Sequence, residues 1–322
     1  MIRAIGPYEL VRRIGRGGMA EVHLAITHGA SGFQRKVAIK LLAPELAGDH
    51  ELERALIHEA TLGGRLHHRN LVAVLGLGVH DGNYYAVLEY VDGRDLASHL
   101  GRPKPNKWSA RPRPEGAPDG MPEELALFVV HELALGLAHL HAARDERGLP
   151  LGLVHRDVGP ANTLVSTTGD VKLGDFGIVK ATALADRTGA GTRKGRYAYM
   201  APEQLAGEPV TAAADQFGLA VTLVELVTGE RPFAGPHEAS PWTLLEAIRR
   251  GPALGTAASG AERPSGLGLN LAPDIAAIAE HALAFAASDR YFSLAELVAQ
   301  IAEARARRTT ITATDFGAWV AS

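Results

Sequence analysis

Apolar and polar positions have a strand-like pattern in the first part of the chain, from residue 8 to about residue 91. Stretches rich in Val, Ile and Tyr are separated by turns that contain Gly, which is typical of β-strands. These stretches are YELVRRI, AEVHLAIT, KVAIKLL, LVAVLGLGV and YYAVLEYV. Residues 51–66 instead have leucines at helical spacing, although Gly63 and Gly64 weaken the end of this segment. The pattern predicts a β-rich unit that contains one helix.

The remainder of the chain has a helical pattern. Helix-forming residues recur with a period of about 3.6 over residues 123–143, 213–228, 243–250, 273–287 and 294–304. Before these segments, residues 101–122 are so rich in Pro, Gly and basic side chains that we expect an insertion without regular structure. This insertion could bind a partner, but an inert loop is the better interpretation, because polar loops are tolerated at little cost. We therefore predict an α+β fold of two lobes with a cleft between them. The N-lobe, at about residues 8–91, is small and β-rich, and the C-lobe, at about residues 92–303, is larger and mainly α-helical.

Composition and charge exclude several classes of partner. The chain has 322 residues, 46% hydrophobic and 21% charged, which is enough to bury one large core or two lobes. The formal net charge of -3 offers no basic excess, so we expect no nucleic-acid partner. The chain contains no Cys, which excludes disulfides and Cys-ligated zinc. The start lacks the pattern of a secretory signal, and the most apolar run, residues 217–227, is interrupted by Glu225 and too short to cross a bilayer. We expect a soluble, cytoplasmic protein without membrane insertion.

Two motifs in the β-rich part are suited to binding phosphate groups. The stretch GRGGMAEV, residues 15–22, lies between two predicted strands, and its small residues allow backbone N–H groups to approach phosphates. Taken alone, this stretch fits a plain hairpin turn better. The phosphate-binding interpretation is strengthened by VAIK, residues 37–40, because Lys40 on the next strand can hold nucleotide phosphates. Glu59, on the predicted helix, is the natural partner that orients Lys40.

Two further motifs in the second part supply acidic and amide groups. HRDVGPAN, residues 155–162, contains Asp157, which can accept the proton of a substrate hydroxyl. Asn162 of this motif and Asp175 of GDFG can hold divalent cations that bridge phosphates. Phe176 can pack under the helix of Glu59. Each motif alone has many chance matches, but all of them occur in the order and on the elements that phosphoryl transfer requires.

These motifs together resemble those of protein kinases, specifically the eukaryotic-like (Hanks-type) serine/threonine kinases of bacteria. The resemblance implies that the chain transfers the γ-phosphoryl group of ATP to serine and threonine hydroxyls of proteins in bacterial signalling. It implies Mg²⁺ as the cofactor, with Mn²⁺ as an alternative. By this resemblance Lys40 and Glu59 form an ion pair, Asp157 is the catalytic carboxylate, and Asn162 and Asp175 bind the metal.

The resemblance also implies a pocket for ATP. Leu88 guards its rear, backbone groups of Glu89 and Val91 meet the adenine, and Asp95 reaches the ribose. The apolar members of the pocket would also suit an ordinary core. The predicted nucleotide-binding residues are Ile14, Gly15, Gly17, Gly18, Val22, Ala38, Lys40, Leu88, Glu89, Val91, Asp95 and Leu164.

Regulatory and structural roles follow from the same resemblance. The stretch YMAPEQ looks like the end of an activation segment, in which Glu203 pairs with Arg290. Asp215 matches a buried aspartate that braces the catalytic loop, although it also suits a helix cap. Arg156 matches the arginine of a basic pocket that a phosphorylated activation segment neutralises. The candidate sites of autophosphorylation are Thr182, Thr188 and Thr192.

Three positions depart from the usual pattern of the family. Ala20 replaces the last glycine of the phosphate loop, which costs little. Gly63 lies one turn after Glu59, where active kinases place an apolar side chain in an internal stack. Gly159 removes a lysine that contacts the γ-phosphate and a threonine, and Arg196 stands at the position of that threonine. We hypothesise that Arg196 supplies the missing cation, although an ordinary surface ion pair would explain Arg196 equally well.

Other functions remain open at this point. A pseudokinase that binds nucleotide or protein partners without catalysis is motivated by Gly159 and Gly63. A small-molecule kinase is disfavoured because YMAPEQ is a feature of kinases with protein substrates. Tyrosine specificity is disfavoured because the catalytic loop lacks the arginine that tyrosine kinases carry. The resemblance covers residues 8–303, and the tail at residues 304–322 is expected to dock on this domain or on a partner. The sequence leaves the protein substrate, the upstream signal and the oligomeric state undetermined.

Overall fold

The computed structural model of the chain describes residues 4–100, 120–175, 197–233, 240–251, 254–256 and 269–321. Five of the residues singled out above lie outside these ranges: Phe176, Thr182, Thr188, Thr192 and Arg196. Of the predicted insertion, only residues 120–122 are described. Their structure differs from a free loop, because Met121 is buried and its N–H donates to the carbonyl of Leu226 at 2.7 Å.

The N-lobe is built on a six-stranded antiparallel sheet with the strand order β1-β2-β3-β4-β6-β5. The register places Val22 opposite Lys40 and Ala38 opposite Leu88. The strands predicted between residues 8 and 91 are therefore confirmed. They are preceded by the short β1, and their bounds are β1 Ala4–Ile5, β2 Tyr8–Arg16, β3 Ala20–His28, β4 Gln34–Leu42, β5 Val74–His80 and β6 Asn83–Glu89.

The predicted helix of the N-lobe, α1, runs over His50–Gly63. It begins where the Asp49 side chain accepts hydrogen bonds from the backbone N–H groups of Glu51 and Leu52, at 3.0 and 3.3 Å. Such a carboxylate satisfies N–H groups that have no partner within the helix. The helix ends at Gly63, earlier than the predicted end at residue 66, because two successive glycines have low helix propensity. The position of this helix fixes Glu59.

The C-lobe is centred on two helices, α3 (Glu123–His141) and α5 (Ala213–Thr228), whose residues are buried on nearly all sides. Helix α3 is long and apolar enough to cross a bilayer, but 67% of its apolar window is buried inside the fold, as in the core helix of a globular domain. The sequence had singled out residues 217–227 as the most apolar run, and these belong to α5. The other helices that the structure describes are α2 Leu96–His99, α4 Pro202–Ala206, α6 Pro241–Arg249, α7 Pro273–Ala282, α8 Leu294–Ala306 and α9 Ala313–Ala321.

Some helix predictions were wrong in their extent. The helix predicted over residues 273–287 ends at Ala282, and Ala287–Asp289 forms a separate 3-10 turn. This break turns Arg290 into the interior, where it is 4% exposed. Helices α2 and α4 were not predicted, because four or five residues are too few to show a helical period.

A small antiparallel sheet with the order β7-β8-β9 lies between the two lobes. Its strands are β7 Gly93–Asp95, β8 Thr163–Ser166 and β9 Val171–Leu173. The Leu173 N–H donates to the Asn70 carbonyl at 2.8 Å, and the Val72 N–H donates to the Leu173 carbonyl at 2.9 Å. The small sheet is thus hydrogen-bonded to the segment that follows α1. Two more strands, β10 Leu254–Thr256 and β11 Leu269–Leu271, pair in parallel in the C-lobe.

The apolar core is continuous between the lobes. Leu56 and Ala60 of α1 belong to the same buried cluster as Leu173 of β9 and the central C-lobe helices. A second, smaller cluster lies within the N-lobe sheet and contains Ile39 and Val87. The tail is joined to the main cluster as well, since Phe316 of α9 is fully buried in it. The sequence left open whether the tail docks on its own domain or on a partner. In the structure the tail packs on its own domain.

Candidate active site

Lys40 lies between two carboxylates, one in the N-lobe and one in the C-lobe. Its Nζ lies 2.6 Å from Oε1 of Glu59 on α1 and 2.6 Å from Oδ1 of Asp175, which follows β9. Burial of the ammonium group lowers its pKa, but Asp175 and Glu59 outweigh burial, so the pKa of Lys40 is raised above its ordinary value. Lys40 is therefore a fixed positive charge with a defined position in the cleft.

Asp215 holds the backbone of the HRD segment. Its carboxylate, on the buried helix α5, accepts hydrogen bonds from the N–H groups of His155 (2.8 Å) and Arg156 (2.7 Å). A third contact comes from Nε2 of His141, at 2.7 Å. Arg156 has a φ of 65°, in the left-handed region that residues other than glycine rarely adopt. The bonds to Asp215 stabilise this conformation, which presents the next residue, Asp157.

Asp157 and Asn162 are linked within the same loop. The Asn162 side-chain N–H donates to the carbonyl of Asp157 at 2.7 Å, and the Asn162 carbonyl accepts from the N–H of Gly174 at 2.9 Å. The buried His155 ring lies between the two segments, with Nε2 3.2 Å from the Gly174 carbonyl and Nδ1 3.3 Å from the Asp157 backbone N. These contacts bring the HRD loop and the segment of Asp175 together.

The predicted nucleotide-binding residues lie on the N-lobe sheet and on the small sheet between the lobes. Gly15 pairs with Val22 across β2 and β3, and Leu164 of β8 pairs with Asp95 of β7. Residues Gly17 and Gly18 lie in the turn between β2 and β3. Ile14 is 36% exposed on β2, as a residue at an open cleft would be. The fold thus groups these residues around the same cleft as Lys40.

In the segment that was predicted to contact the adenine, residues 89–91, the N–H group of Glu89 already donates a hydrogen bond within the protein. The Glu89 N–H donates to the Ala73 carbonyl at 2.8 Å, and the Glu89 side chain contacts Nζ of Lys172 at 3.0 Å. The Val91 carbonyl accepts from the Gly93 N–H at 2.9 Å. Adenine recognition through Val91 would therefore depend on its N–H, which donates to no backbone carbonyl among the described residues.

Asp95 has a structural role in this structure. Its side chain accepts hydrogen bonds from the N–H of Ser98 at 3.0 Å and from the Ser98 hydroxyl at 2.8 Å, so it caps α2. The residue is only 8% exposed. A carboxylate that is buried and bound to its own helix is poorly placed for a sugar hydroxyl, so the ribose contact stays a prediction.

Gly159 packs against an aromatic ring. A Cβ atom at Gly159 would lie 3.4 Å from the ring of Tyr199, which is ordinary van der Waals contact. The backbone there is extended, with φ 169° and ψ 170°, a conformation that any residue adopts. The Tyr199 hydroxyl donates to Oε2 of Glu225 at 2.5 Å, and Glu225 is fully buried in α5. Sterics therefore do not require a glycine at position 159.

Gln204 is a site residue that was not predicted. Its side-chain N–H donates to the carbonyl of Arg156 at 2.9 Å, and its side-chain oxygen accepts from the N–H of Ala201 at 3.1 Å. The Gln204 side chain thus joins the loop that contains Asp157 to the YMAPEQ stretch. The residue follows Glu203 directly, but a glutamine on a short helix carries no periodic signal. Glu225 did leave a signal, since it is a charged residue within an apolar run.

Glu203 and Arg290 form the bidentate ion pair that the resemblance implied. The two guanidinium nitrogens lie 2.8 and 2.9 Å from the two carboxylate oxygens, with both residues buried. Arg290 also donates to the carbonyls of Ala284, Ala213 and Phe285, so its N–H groups are well satisfied. This pair anchors the segment that contains Gln204 to the C-lobe.

Comparisons with known proteins agree with this geometry. A family model described as a protein kinase domain matches residues 8–288. The tyrosine-protein kinase MasK of Myxococcus xanthus is 36% identical over 291 residues, which are 90% of this chain and 42% of the relative. The serine/threonine-protein kinase PrkC of Bacillus subtilis is 34% identical over 238 residues, which are 74% of this chain and 33% of the relative. The chain thus spans less than half the length of these curated relatives.

A solved structure shows the same fold. The crystal structure of the PknI kinase domain of Mycobacterium tuberculosis is 27% identical in sequence, with a TM-score of 0.59. The superposition covers 93% of this chain and 97% of that one. With the family model and relatives above 30% identity covering most of the chain, the sequence and the structure agree: the chain belongs to the protein kinase family, with Hanks-type bacterial serine/threonine kinases among its relatives.

Proposed function

We propose that this chain is an ATP-dependent protein serine/threonine kinase. The observation that carries the proposal is the position of Lys40 between Glu59 and Asp175, at 2.6 Å from each. Beside it, Asp215 holds the N–H of Arg156 and Asn162 holds the carbonyl of Asp157. In protein kinases a lysine and a helix glutamate in this relation accompany the catalytically competent arrangement of the lobes. A pseudokinase would not need all of these groups at bonding distance.

Each residue has a distinct part in the proposed transfer. Lys40 holds phosphate oxygens of ATP with its fixed charge. Asp157 orients the substrate hydroxyl and accepts its proton as the oxygen attacks the γ-phosphorus. Positioning and electrostatic stabilisation account for most of the rate in such reactions. Glu59 keeps Lys40 in place, and the remaining predicted nucleotide-binding residues, from Ile14 to Leu164, form the walls of the proposed ATP pocket.

The residues present fit a divalent cation. The Asn162 side-chain nitrogen is engaged by the Asp157 carbonyl, so the amide oxygen is the atom that can bind a metal, and Asp175 has one carboxylate oxygen that is not bonded to Lys40. Among the described residues no group of three His, Cys, Asp or Glu side chains could hold a metal without other ligands. This suits Mg²⁺, which commonly binds through one or two protein groups and substrate phosphates, and which neutralises charge on those phosphates. Mn²⁺ can take the same ligands.

Regulation by phosphorylation is part of the proposal. Arg156 has a buried Nε for which the described residues provide no hydrogen-bond partner. A phosphate on Thr182, Thr188 or Thr192 would satisfy such a guanidinium and order the activation segment. Intact-mass measurement after incubation with ATP and Mg²⁺ should show at least one added phosphate, and mapping should place it on one of these threonines.

The type of hydroxyl that is phosphorylated requires its own test. The relative MasK is named a tyrosine-protein kinase, whereas PrkC is named a serine/threonine-protein kinase. We favour serine and threonine because the catalytic loop lacks the arginine of tyrosine-specific enzymes. Phosphoamino-acid analysis of the labelled chain and of a generic protein substrate should give phosphoserine and phosphothreonine. Phosphotyrosine as the main product would establish the second candidate instead.

Incubation with radiolabelled ATP and Mg²⁺ tests the proposed function as a whole. The wild type should label itself and a generic protein substrate, and Asp157→Asn should label neither, because the amide cannot accept the proton. Nucleotide binding, measured by thermal shift, should persist in both. Binding without label in the wild type would identify a pseudokinase, the alternative that Gly159 and Gly63 motivated.

Further features of the chain belong to the same proposal. We infer a kinase domain over residues 8–303, an insertion near residues 101–122 and a tail at residues 304–322. We also infer protein substrates in the cytoplasm, without nucleic-acid partners and without membrane insertion. The burial of α3 within the fold supports the last inference.

A further inference from the structure

The C-terminal helix α9 is packed tightly onto the C-lobe. Phe316 is 0% exposed, and its ring centroid lies 5.3 Å from that of Phe128 on α3. The ring of Trp319 lies 5.8 Å from Phe316 and 5.9 Å from His99 on α2. Aromatic pairs at these separations add to the stability of a contact beyond the buried area. The family model ends at residue 288, so α9 lies outside the part of the chain that matches it, whereas Phe128 and His99 lie inside.

The contact between α9 and the turn that joins β8 to β9 is made by backbone on backbone. A Cβ atom at Gly317 would lie 2.5 Å from the carbonyl oxygen of Thr167 and 2.9 Å from the N of Gly169. A Cβ atom at Gly169 would overlap the carbonyl of Ala313, and Gly169 has a φ of +90°. Two glycines that face each other across a contact allow an approach that no other residue allows. The turn cannot move without displacing α9.

The elements that α9 contacts also carry residues of the proposed active site. Strand β8 contains Leu164 of the nucleotide pocket, and α2 begins at the cap Asp95. Helix α2 packs against the turn Pro160–Asn162, which contains a proposed metal ligand. The tail therefore contacts the proposed nucleotide site indirectly, through β8 and α2.

Two arginines fix the base of the tail. The Arg305 guanidinium lies 2.9 Å from Nδ1 of His131, is stacked over Phe128, and donates to the carbonyl of Ile311 at 3.3 Å. Arg308 contacts Glu123 and Asp274 at 2.9 and 2.7 Å. The chain is thus held at two positions just before it turns into α9. Such multiple attachment is expected of an integral element rather than of a loosely associated tail.

We propose that helix α9 is a positioning element of the nucleotide site. Phe316, Gly317 and Trp319 hold the β8–β9 turn and α2, and through them the positions of Leu164 and Asn162. The proposal rests on the proposed function, since it concerns the same ATP site. Loss of the contact should weaken ATP binding and leave the affinity for the protein substrate unchanged.

Gly317→Ala tests the contact with little effect on the helix itself. Alanine is a better helix former than glycine, by about 1 kcal/mol, so the substitution would stabilise a helix α9 that is not docked. In the docked helix the new Cβ atom would clash with the carbonyl oxygen of Thr167. We expect the KM for ATP to rise roughly fivefold or more, the usual size of coupling between linked sites. The KM for a peptide substrate should stay unchanged. Ala318→Gly is the matched control, because residue 318 is exposed on the same helix.

A second variant and a second measurement cover the case in which Gly317→Ala does not fold. Trp319→Ala removes the ring that packs on Phe316 and His99 but leaves the backbone contact of Gly317, and it should raise the KM for ATP by a smaller factor. Amide hydrogen exchange of residues 163–173 and 96–99 should accelerate in both variants. Ile301→Val, a buried change in α8, controls for general destabilisation and should leave the KM for ATP unchanged.

The outcomes separate this inference from the proposed function. An active wild type together with variants whose KM for ATP and exchange are unchanged would overturn the role of α9 and leave the kinase intact. A wild type that neither binds nor turns over ATP would overturn both. A rise in the KM for ATP in Ile301→Val equal to that in Gly317→Ala would reduce the effect to stability alone and so refute a positioning role.

Discussion

Gly159 and Tyr199 are in contact at the centre of the proposed transfer site. The Tyr199 ring lies next to Gly159, but a Cβ atom at position 159 would still be at a normal contact distance of 3.4 Å. The extended backbone of Gly159 suits any residue. The absence of a lysine here is therefore a loss of charge and not a requirement of the fold.

This relationship predicts that Gly159→Lys is tolerated. The variant should fold, because the extended backbone suits any residue and a Cβ atom fits beside the Tyr199 ring. If Arg196 supplies the cation at the γ-phosphate, Arg196→Ala should reduce turnover by roughly 10², and Gly159→Lys in the same chain should restore part of it. The comparison of kcat for the wild type, both single variants and the double variant checks this. Full turnover in Arg196→Ala would show that the guanidinium has no such role.

Gln204 predicts a change in catalysis that differs from a loss of stability. In Gln204→Glu the carboxylate can still accept from Ala201, but it cannot donate to Arg156, so the loop that carries Asp157 loses one support. We expect kcat to fall about tenfold or more, since small misplacements of a catalytic group are costly. The KM for ATP should change little.

The control for Gln204 is Gln216, whose side-chain N–H also donates to a backbone carbonyl, that of Tyr291 at 2.9 Å. Gln216→Leu should lower the free energy of unfolding by about 1 to 3 kcal/mol without a specific loss of kcat. Steady-state kinetics and urea unfolding of both variants give the two quantities. Equal losses of kcat in the two variants would assign Gln204 a purely structural role.

The buried pair of Glu203 and Arg290 predicts a large loss of stability. Arg290→Ala leaves the Glu203 carboxylate buried without its partner, which typically costs about 3 to 5 kcal/mol. Arg290→Lys should rescue little of this, because one ammonium cannot replace a bidentate fork that also reaches three carbonyls. Chemical unfolding measures the effect. Arg249→Ala, at an exposed surface position, is the control and should change the stability by less than about 0.5 kcal/mol.

Asp274 predicts a pH dependence of stability. Hydrogen bonds from Arg308 hold the pKa of Asp274 below its ordinary value of 3.8, against the opposing effect of burial. Because the folded-state pKa is the lower one, ionised Asp274 stabilises the fold above its unfolded pKa, and this stability is lost as the pH falls through the folded-state pKa. At about pH 7, Asp274→Asn should be less stable than the wild type by about 1 to 3 kcal/mol. The difference should shrink as the pH falls below about 4, and a difference that stays constant down to about pH 2 would contradict the assignment.

The sequence determined the family, the order of the elements and most of the candidate site. Local patterns encode these features: stretches rich in Val, Ile and Tyr for strands such as that of Lys40, a helical period for the helix of Glu59, and short motifs around Asp157 and Asp175. Such patterns depend on neighbours along the chain, so they can be recognised without the fold. They also identified Gly159 as a departure.

Only the tertiary structure decided which groups meet across long sequence distances. The bond from Gln204 to Arg156 and the ring of Tyr199 beside Gly159 both depend on how segments pack, and no local period reports packing. The same holds for the tail, where residues near 317 meet residues near 168 through facing glycines. Close backbone contacts of this kind are set by the arrangement of whole elements, because each glycine is informative only once its partner is known.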